Sequence, residues 1–461
     1  MAKITIDPVS RISGLLEIDV EIENNTIIKA KSSGMQFRGF EEMFKGRYPL
    51  DIIYIVARVC GICSVHHSTV SSMALENALN IIPDTNGDRI RHLANGFEFL
   101  QNHIRHTYQF ALPDYVYLGE INPLYKHMDN DSADYRIPKN INDILASHYV
   151  ESLNYSRKAH KAVAILGGKA PHSHGIFVGG TTTDMTIQKY EEVKSILYEI
   201  KKFIEEKLIP DIYILANYYP DYFNIGKGYD NLMDYGLYYN DIFPIKYVNP
   251  GVIIEGKKEE LDSVKITEDV KYTWINAQGE INTDKVDAYS WINAARYKGY
   301  PMEVGPLARM IIGGYYKHQT SVMDRIIARG LECKKICECL EGIISNIRLQ
   351  PAYQKTWEIP DKASGVALLG ATRGALGHWV EIENKVIKNY TLITPSTWNL
   401  SPKDSKNKRG PVEEALVNTY IDNINKAPTI IGRIVRSFDP CSSCASHITS
   451  DTHSPITIQI I

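Results

Sequence analysis

The sequence predicts an α+β fold that is predominantly α-helical and built as a single large domain. Several long stretches repeat apolar residues every three or four positions, which is typical of amphipathic helices. One stretch near the N-terminus alternates apolar and polar residues, which is typical of a β-hairpin. No linker rich in proline, glycine or serine divides the 461 residues. One large domain is therefore favoured over the roughly three that a typical size of about 150 residues would allow.

The predicted elements follow one another in chain order. Residues 16–31 alternate on both sides of Asn24-Asn25, which predicts a hairpin that turns at the two asparagines. A helix is expected to start near Ser68. The stretch 221–300, rich in tyrosine, asparagine, glycine and aspartate, is expected to be an irregular excursion and not a separate domain. The apolar repeat predicts three long helices, over residues 89–112, 186–208 and 321–348.

Charge and hydropathy exclude several classes of protein. The net charge is −3 and the pI is near 6.5, so no basic surface predicts binding to nucleic acid. No run reaches the roughly 18 apolar residues of a membrane-spanning helix. The N-terminal segment lacks the apolar core of a secretory signal. We therefore expect a cytoplasmic chain at synthesis, without a signal peptide of its own.

The seven cysteines are distributed very unevenly. Two C-x-x-C pairs, Cys60 with Cys63 and Cys441 with Cys444, stand near opposite ends of the chain. This spacing lets two thiolates bind one metal or form a redox dithiol, and two pairs supply the ligands of a tetrahedral thiolate site. Zinc ribbons place their pairs about 15–20 residues apart, whereas nearly the whole chain separates these two. Counting thiolates leaves structural zinc and a redox metal equally favoured.

The other cysteines and two histidines are expected to be structural. Cys333, Cys337 and Cys339 fall on a predicted helix, where spacings of four and two cannot place all three thiols on one face. Buried or half-exposed thiols are predicted there. His103 and His106 are three residues apart on a predicted helix, and a hydrogen-bonded core position is favoured for each.

The residues around the two pairs separate these alternatives. The first pair lies in RVCGICSVHH at 58–67, and the second lies in DPCSSCASH at 439–447. These runs resemble the hallmark motifs of the large, catalytic subunit of nickel–iron hydrogenases, R-x-C-G-x-C-x-x-x-H and D-P-C-x-x-C-x-x-H. His67 matches the histidine of the first motif, and His66 has no assigned role. Five accessory runs also match: DPVSRI at 7–12, RGFE at 38–41, EVGPLAR at 303–309, RGALGHW at 373–379 and PSTWN at 395–399.

The resemblance spans residues 4–461, favours nickel and iron over zinc, and implies a fold. Members of the family have a central bundle of long helices with short β-sheets at the periphery. Residues 1–447 would form the hydrogenase large-subunit domain. Family precursors are cleaved after the motif histidine, here His447, once nickel is inserted, so residues 448–461 would be removed on maturation. Metal-insertion factors and a maturation protease are therefore expected partners.

The resemblance also implies how the cysteines divide between the metals. The first cysteine of each pair, Cys60 and Cys441, would be a terminal nickel ligand. The second of each pair, Cys63 and Cys444, would bridge nickel to iron. In the family the iron also carries CO and CN ligands.

Five further residues match positions around these metals. Arg373 and the Ser396 hydroxyl match the positions that contact the cyanide ligands. Glu41 and His447 match side-chain ligands of a nearby magnesium ion, with the carbonyl of Leu392 as the third ligand. Oxygen and imidazole ligands suit such a hard cation better than thiolates do.

The implied reaction is the reversible heterolytic cleavage of H2 to protons and electrons. Dihydrogen is apolar and a very weak acid, so its cleavage needs a Lewis-acidic metal beside a base. By family analogy the Cys441 thiolate takes the proton. Arginine keeps its charge at any working pH, so we predict an electrostatic role for Arg373 and not the role of a base.

The sequence departs from the family at several positions. Ser13 stands where the family has a glutamate that relays protons from the terminal cysteine. A hydroxyl passes a proton through hydrogen bonds and water but cannot hold the charge change. Our hypothesis is a path through Ser13 and water, or a detour through a carboxylate such as Glu17. Asn102, Thr372 and Asn293 stand where an acid, a proline and a lysine are common, and none of them is a metal ligand.

Three other functions are weighed against catalysis. An H2-sensing subunit would carry the same metal site. A quinone-site subunit of respiratory complex I would have lost the four cysteines. A structural zinc protein would contain neither nickel nor iron. The remaining thiols form no iron–sulfur motif. Electrons therefore require a small subunit that carries iron–sulfur clusters and docks on an exposed apolar face. Export or membrane association would then depend on that partner.

Overall fold

A computed structural model of the protein describes residues 2–119, 121, 133–276, 279–350 and 357–445. These ranges contain thirteen α-helices and thirteen β-strands, labelled in chain order. The helices are α1 Phe40–Phe44, α2 Asp51–Val56, α3 Ser64–Leu79, α4 Thr85–Arg105, α5 Lys139–Gly167, α6 Ile187–Phe203, α7 Ile209–Tyr218, α8 Pro306–Ile312, α9 Val322–Ile344, α10 Pro395–Asn399, α11 Pro411–Leu416, α12 Ala427–Ser437 and α13 Ser442–Ala445. The strands are β1 Ala2–Ile6, β2 Leu16–Glu23, β3 Thr26–Gly34, β4 Ile176–Phe177, β5 Gly180–Thr181, β6 Leu232–Asp234, β7 Gly251–Ile254, β8 Lys257–Glu259, β9 Ile266–Asp269, β10 Ala294–Tyr297, β11 Lys362–Ala371, β12 Gly374–Glu383 and β13 Val386–Ile393.

Four long helices form the centre of the molecule. Helix α4 packs against α5 and α9, and α6 packs against the same two helices. Every residue of α4 from Ile90 to Ile104 is buried, including polar side chains such as Glu98 and Asn102. Because buried polar groups require hydrogen-bond partners, these side chains connect α4 to its neighbours. In the described part of the chain, no helix has both the length and the apolarity that crossing a membrane requires.

The strands form small antiparallel sheets around the helices. Three sheets have three strands each, β1–β2–β3, β6–β7–β8 and β11–β12–β13, and two more are the pairs β4–β5 and β9–β10. Strands β11 and β12 pack against α3. Only Thr372 and Arg373 separate these two strands, so Arg373 lies on a tight turn next to a helix that follows a cysteine pair.

The predicted α+β class, with helices predominating, is confirmed. The hairpin turns at Asn24 and Asn25, whose φ angles of 48° and 59° are those of the two-residue turns that asparagine favours. Two of the predicted long helices are α-helical over only part of their length. Helices α4 and α6 end at Arg105 and Phe203, and the chain continues in π-helical turns at 106–111 and 204–208. The apolar repeat persists through such turns, so the sequence did not reveal them.

Several features of the fold were not predicted from the sequence. Helix α3 begins at Ser64, four residues before the predicted start at Ser68. The 29-residue helix α5 and the sheet β11–β13 were not singled out. The early start of α3 has a tertiary cause, because the partner of its first turn comes from α4. The stretch 221–300 is irregular, as predicted, with only short strands in its described residues.

The cysteines and histidines predicted to be structural are in the core. Cys333, Cys337 and Cys339 on α9 are all buried. His103 Nε2 donates to Glu332 Oε2 at 2.8 Å, and His106 Nε2 donates to a backbone carbonyl at 2.6 Å. The prediction of buried thiols and hydrogen-bonded core histidines is confirmed.

Candidate metal centre

The two C-x-x-C pairs meet in the interior of the protein. The four sulfur atoms all lie within 4.8 Å of one another. Cys60 Sγ is 3.4 Å from Cys441 Sγ, and Cys63 Sγ is 3.6 Å from Cys444 Sγ, although 381 positions separate the residues in each contact. The four cysteines are 1–8 % exposed. This donor set could hold a soft metal ion away from bulk water.

A short loop between two helical segments carries the first pair. Cys60 follows the 3₁₀ turn 57–59 in an extended conformation, and Cys63 directly precedes α3. The backbone N–H of Ile62 donates to Cys60 Sγ at 3.3 Å. The loop thus brings both thiols to the same side of the polypeptide, as C-x-x-C spacing predicts.

The second pair follows α12 and is held by the N-terminal part of the chain. Ser13 donates its N–H to the Pro440 carbonyl at 3.1 Å and accepts the N–H of Ser442 at 2.8 Å. The N–H of Cys441 donates to Ser396 Oγ at 3.0 Å. Ser396 is placed at the start of α10, where Thr394 caps the helix. Segments distant in sequence therefore fix the Cys441 backbone from both sides.

Shared hydrogen bonds and burial shift the pKa values of Cys63, Cys441 and Cys444. Hydrogen bonds from Cys444 first, and then from Cys60 and Cys63, lower the pKa of Cys441 well below its ordinary value. The hydrogen bond to Cys441 raises the pKa of Cys63, and burial raises that of Cys444. A bound metal cation would favour the deprotonated form of all four thiols.

Arg373 approaches the sulfur atoms from the turn between β11 and β12. Its Nε donates to the carbonyl of Asp439 at 3.0 Å, and its Nη2 donates to Asn102 Oδ1 at 2.6 Å. Asn102 in turn donates to Asp439 Oδ2 at 2.8 Å. Arg309 fixes the turn by donating to the Ala371 carbonyl at 2.8 Å. Arg373 is therefore held rigidly although its Nη1 has no hydrogen-bond partner among the described residues.

A small cavity lies between Arg373 and the thiols. Its volume is about 10 Å³, roughly the space of one water molecule. The lining combines five predicted site residues with five neighbours, three of them apolar: Cys63, Cys441, Cys444, Arg373 and Ser396, then His67, Thr372, Ala371, Leu376 and Pro395. A dry pocket with a guanidinium nitrogen and a hydroxyl at its edge suits small polar ligands of a metal.

His67 lies on the wall of this cavity, as its motif position suggested. The ring is buried, and Nδ1 is 3.3 Å from His378 Nε2. Burial lowers the pKa of His67 to about 4. The ring is therefore neutral at ordinary pH and adds no positive charge to the site.

Glu41 and Leu392 line a second cavity. Glu41 Oε1 accepts the N–H of Leu392 at 2.8 Å, and both residues face a space of about 20 Å³ together with Glu268 and Asn293. Burial raises the pKa of Glu41 to about 8, and the pKa of Glu268 is raised for the same reason. No lysine or arginine in the described residues forms a salt bridge with either carboxyl group. A divalent cation would stabilise both carboxylates.

One predicted ligand, His447, lies outside the described residues, as does the segment 448–461.

The structure also adds residues to which the sequence analysis assigned no role: Asp439 and Glu268 beside the two cavities, and Glu98 behind the first cysteine pair. A sequence signal for Glu98 exists, because it is the only charged residue of α4 between Arg91 and Arg105. A lone charge inside a buried stretch indicates a specific partner.

Comparison with known proteins agrees with this site. The family model for nickel-dependent hydrogenases matches residues 38–127, 118–322 and 314–447. This chain belongs to that family. It is therefore a hydrogenase large subunit and an enzyme, as the two cysteine motifs predicted.

Two relatives illustrate the extent of the similarity. The hydrogenase is 36 % identical to the periplasmic NiFeSe hydrogenase large subunit of Desulfomicrobium baculatum, over 97 % of this chain and 95 % of the relative. It is 28 % identical to the hydrogenase-2 large chain of Escherichia coli strain K12, over the full length of both. The crystal structure of the reduced, active Ni-Fe-Se hydrogenase from D. baculatum superimposes with a TM-score of 0.92 at 35 % identity, covering 97 % of this chain and all of that chain. The predicted hydrogenase large-subunit fold is confirmed.

Proposed function

We propose that this large subunit catalyses the reversible heterolytic cleavage of H2 into protons and electrons at a nickel–iron pair. The observation that carries the proposal is the convergence of two distant C-x-x-C pairs on one buried group of four sulfur atoms. Family membership supports nickel, and thiolates suit soft, redox-active metals.

Each cysteine has a role in this proposal. Cys60 and Cys441 would bind nickel terminally, and Cys63 and Cys444 would bridge nickel and iron. When bound, the metals supply the Lewis acidity and the change of redox state that H2 cleavage requires. The chain holds the four sulfur atoms in a buried pocket, so water is excluded where the proton and the electrons separate.

Arg373 and Ser396 would hold the CO and CN ligands of the iron. Arg373, whose Nη1 has no hydrogen-bond partner among the described residues, and Ser396 both line the 10 Å³ cavity beside the thiols. Because Ser396 Oγ accepts the N–H of Cys441, its own hydrogen is available to donate. The apolar residues that complete the lining would keep these ligands dry.

The Cys441 sulfur would accept the proton from H2, and Arg373 would stabilise the separated charges without giving up its own proton. The onward path would begin at Ser13, which the backbone holds beside Cys441. A hydroxyl can pass the proton to water by exchanging hydrogen bonds. Glu17, whose carboxyl pKa is raised by burial, is the alternative acceptor in this proposal.

A magnesium ion would occupy the second cavity. Glu41, the carbonyl of Leu392 and His447 would be its ligands, and the two carboxylates at the cavity would lose their mutual repulsion. The site would tie the C-terminal segment to β13, because Leu392 is the penultimate residue of that strand.

The electrons would leave through a partner small subunit with iron–sulfur clusters. Relatives named as large subunits or large chains support a partner, and one relative is named periplasmic. We therefore propose that location is decided by the partner, which would carry the signal for export or membrane association.

Metal analysis together with an activity assay tests the function. The large subunit is co-purified with its small subunit, and nickel, iron and zinc are measured beside H2-dependent reduction of a viologen dye. We expect nickel in the large subunit, iron beyond the amount that the clusters of the small subunit account for, and H2-dependent reduction. Zinc without nickel or iron would instead support a structural zinc site, and a loaded site with no turnover would support the H2 sensor.

We also propose that residues 448–461 are removed by a maturation protease after metal-insertion factors have loaded nickel, leaving a large-subunit domain of residues 1–447. The family match ends at residue 447, which supports this boundary. Intact mass spectrometry of the active enzyme is expected to give a chain that ends at His447. Active enzyme that ends at Ile461 would contradict the proposal.

A further inference from the structure

The helix that follows the first cysteine pair has no cap within its own sequence. Helix α3 begins at Ser64, and the side chain of the preceding Cys63 accepts no hydrogen bond from the N–H groups of the first turn. The first N–H groups of a helix have no partner inside the helix. Serine, threonine, aspartate or asparagine usually accepts them from the capping position. The Cys63 sulfur does not take this role.

Glu98 of α4 accepts these hydrogen bonds instead. Its Oε1 accepts the N–H of Val65 at 2.9 Å, and its Oε2 accepts the N–H of His66 at 3.0 Å. The side chain is buried, at 4 % exposure. A carboxylate is favoured at this end of a helix because the helix dipole is positive there. Glu98 therefore determines where α3 begins.

His66 holds Glu98 in this orientation. The ring Nδ1 of His66 lies 2.5 Å from Glu98 Oε2, so the same residue contacts the carboxylate through its backbone and its side chain. The ring is fully buried and packs edge-on against Phe99, with ring centroids 4.8 Å apart. No lysine or arginine of the described residues forms a salt bridge with Glu98.

We propose that Glu98 is a positioning residue for the metal ligand Cys63, and that His66 keeps Glu98 in place. The inference rests on the proposed function of the four cysteines. Cys63 has a non-helical backbone, with φ of −129° and ψ of 37°, directly before the first turn. The direction of its sulfur is set by the residue at which the helix starts. Without the cap, the first turn loses two hydrogen bonds and Cys63 gains freedom relative to the other three thiols.

The first test measures metal binding without catalysis. The nickel-free full chain is titrated with Co²⁺, whose thiolate charge-transfer absorption reports binding to the four cysteines. We expect Glu98→Gln to weaken Co²⁺ binding by about 10- to 100-fold, the usual cost of losing a residue that orients a metal ligand. Glutamine has one acceptor oxygen, and its NH2 group would face an N–H donor. Glu98→Asp retains two acceptor oxygens and is expected to lose less affinity.

The matched control is Glu76→Gln, a substitution on helix α3 itself. Glu76 is buried, pairs with Arg91 and accepts the N–H of Gly179 at 2.8 Å, but it lies near the opposite end of α3. We expect its Co²⁺ affinity to equal that of wild type. Affinities that fall equally in the Glu98 and Glu76 variants would overturn the proposal, because the loss would then be one of general stability.

The second test uses the enzyme loaded with nickel and iron, and it measures a signal that does not depend on the amount of folded protein. Infrared spectra record the C–O and C–N stretching bands, whose wavenumbers report the electron density at the iron. We expect shifted bands in Glu98→Gln and unshifted bands in Glu76→Gln. Bands and Co²⁺ affinity identical to wild type in Glu98→Gln would refute the positioning role. Wild-type enzyme without nickel, iron or such bands would refute the proposed function, while the Co²⁺ titration would still test Glu98.

His66 supplies a second pair of variants if circular dichroism shows that Glu98→Gln does not fold. His66→Leu removes the ring nitrogen, whereas His66→Asn places an amide donor near the position of Nδ1. We expect His66→Leu to weaken Co²⁺ binding and His66→Asn to restore most of the affinity. Equal affinities in these two variants would contradict the role of the ring.

Discussion

Arg373→Lys tests whether the guanidinium group acts through its geometry or only through its charge. Three nitrogens of Arg373 have separate tasks: Nε donates to the Asp439 carbonyl, Nη2 donates to Asn102, and Nη1 is left for the cavity beside the thiols. Lysine keeps the positive charge but has a single nitrogen that cannot point in all three directions.

The magnitude follows from the number of hydrogen bonds. If the lysine ammonium keeps one of the two protein contacts, at least one hydrogen bond to a charged group is lost, worth about 1.5–3 kcal/mol. Such a loss at the stage of H2 cleavage corresponds to a decrease in kcat of about 10- to 150-fold. The buried side chain is 3 % exposed, so water cannot replace the missing contact.

The assay is H2-dependent viologen reduction by the co-purified subunits, with kcat and KM determined separately and the metal content measured in parallel. Arg91→Lys is the matched control, because Arg91 is equally buried and pairs with Glu76 and Asp88 away from the cavity. The reasoning is refuted if Arg373→Lys contains full nickel and iron and its kcat stays within about twofold of wild type.

Three further measurements test the proton path, the thiolates and the buried histidines. Ser13→Ala is expected to slow both H2 oxidation and H/D exchange at unchanged nickel content, and wild-type rates would show that the proton takes another path. Cys444→Ser is expected to lose nickel and iron in metal analysis, whereas Cys337→Ser, at another buried thiol, keeps both. Burial lowers the pKa of His92 from 6.5 to about 4. Between pH 6.5 and 4 this histidine therefore binds a proton in the unfolded chain but not in the folded protein. The free energy of unfolding falls as the pH is lowered through this range. His92→Phe is expected to remove up to about 3 kcal/mol of this dependence, measured by chemical unfolding from pH 7 to 4, and an unchanged slope would contradict it.

Patterns that are local in sequence predicted the N-terminal hairpin and four of the helices, α3, α4, α6 and α9. The hairpin at Asn24 and Asn25 followed from alternation and turn chemistry, and the long helices followed from the apolar repeat. The start of α3 could not be predicted, because its cap is supplied by Glu98 from another helix. The π-helical turns after Arg105 and Phe203 also left no mark on the repeat.

The candidate site was predicted unevenly. The four cysteines stand in conspicuous motifs, and the structure brings their sulfur atoms together. The contacts of Arg373 could not be predicted, because Asn102 and Asp439 come from α4 and from the segment after α12. Glu268 beside the second cavity belongs to the irregular stretch 221–300, where no pattern distinguishes one carboxylate from another.

The sequence by itself determined the family, the four thiolates and the net charge of −3, because these depend on residue types and on spacings of a few positions. Only the tertiary structure decided which groups surround the thiolates. Hydrogen bonds and burial act over about 3–4 Å in space, whereas Glu98, Arg373 and Cys441 are far apart along the chain. Packing of α4 against its neighbours places Glu98 at the start of α3, and the turn between β11 and β12 places Arg373 at the cavity that three of the cysteines line. The cysteine motifs thus specify the ligands, and the helices and the turn specify how those ligands are oriented.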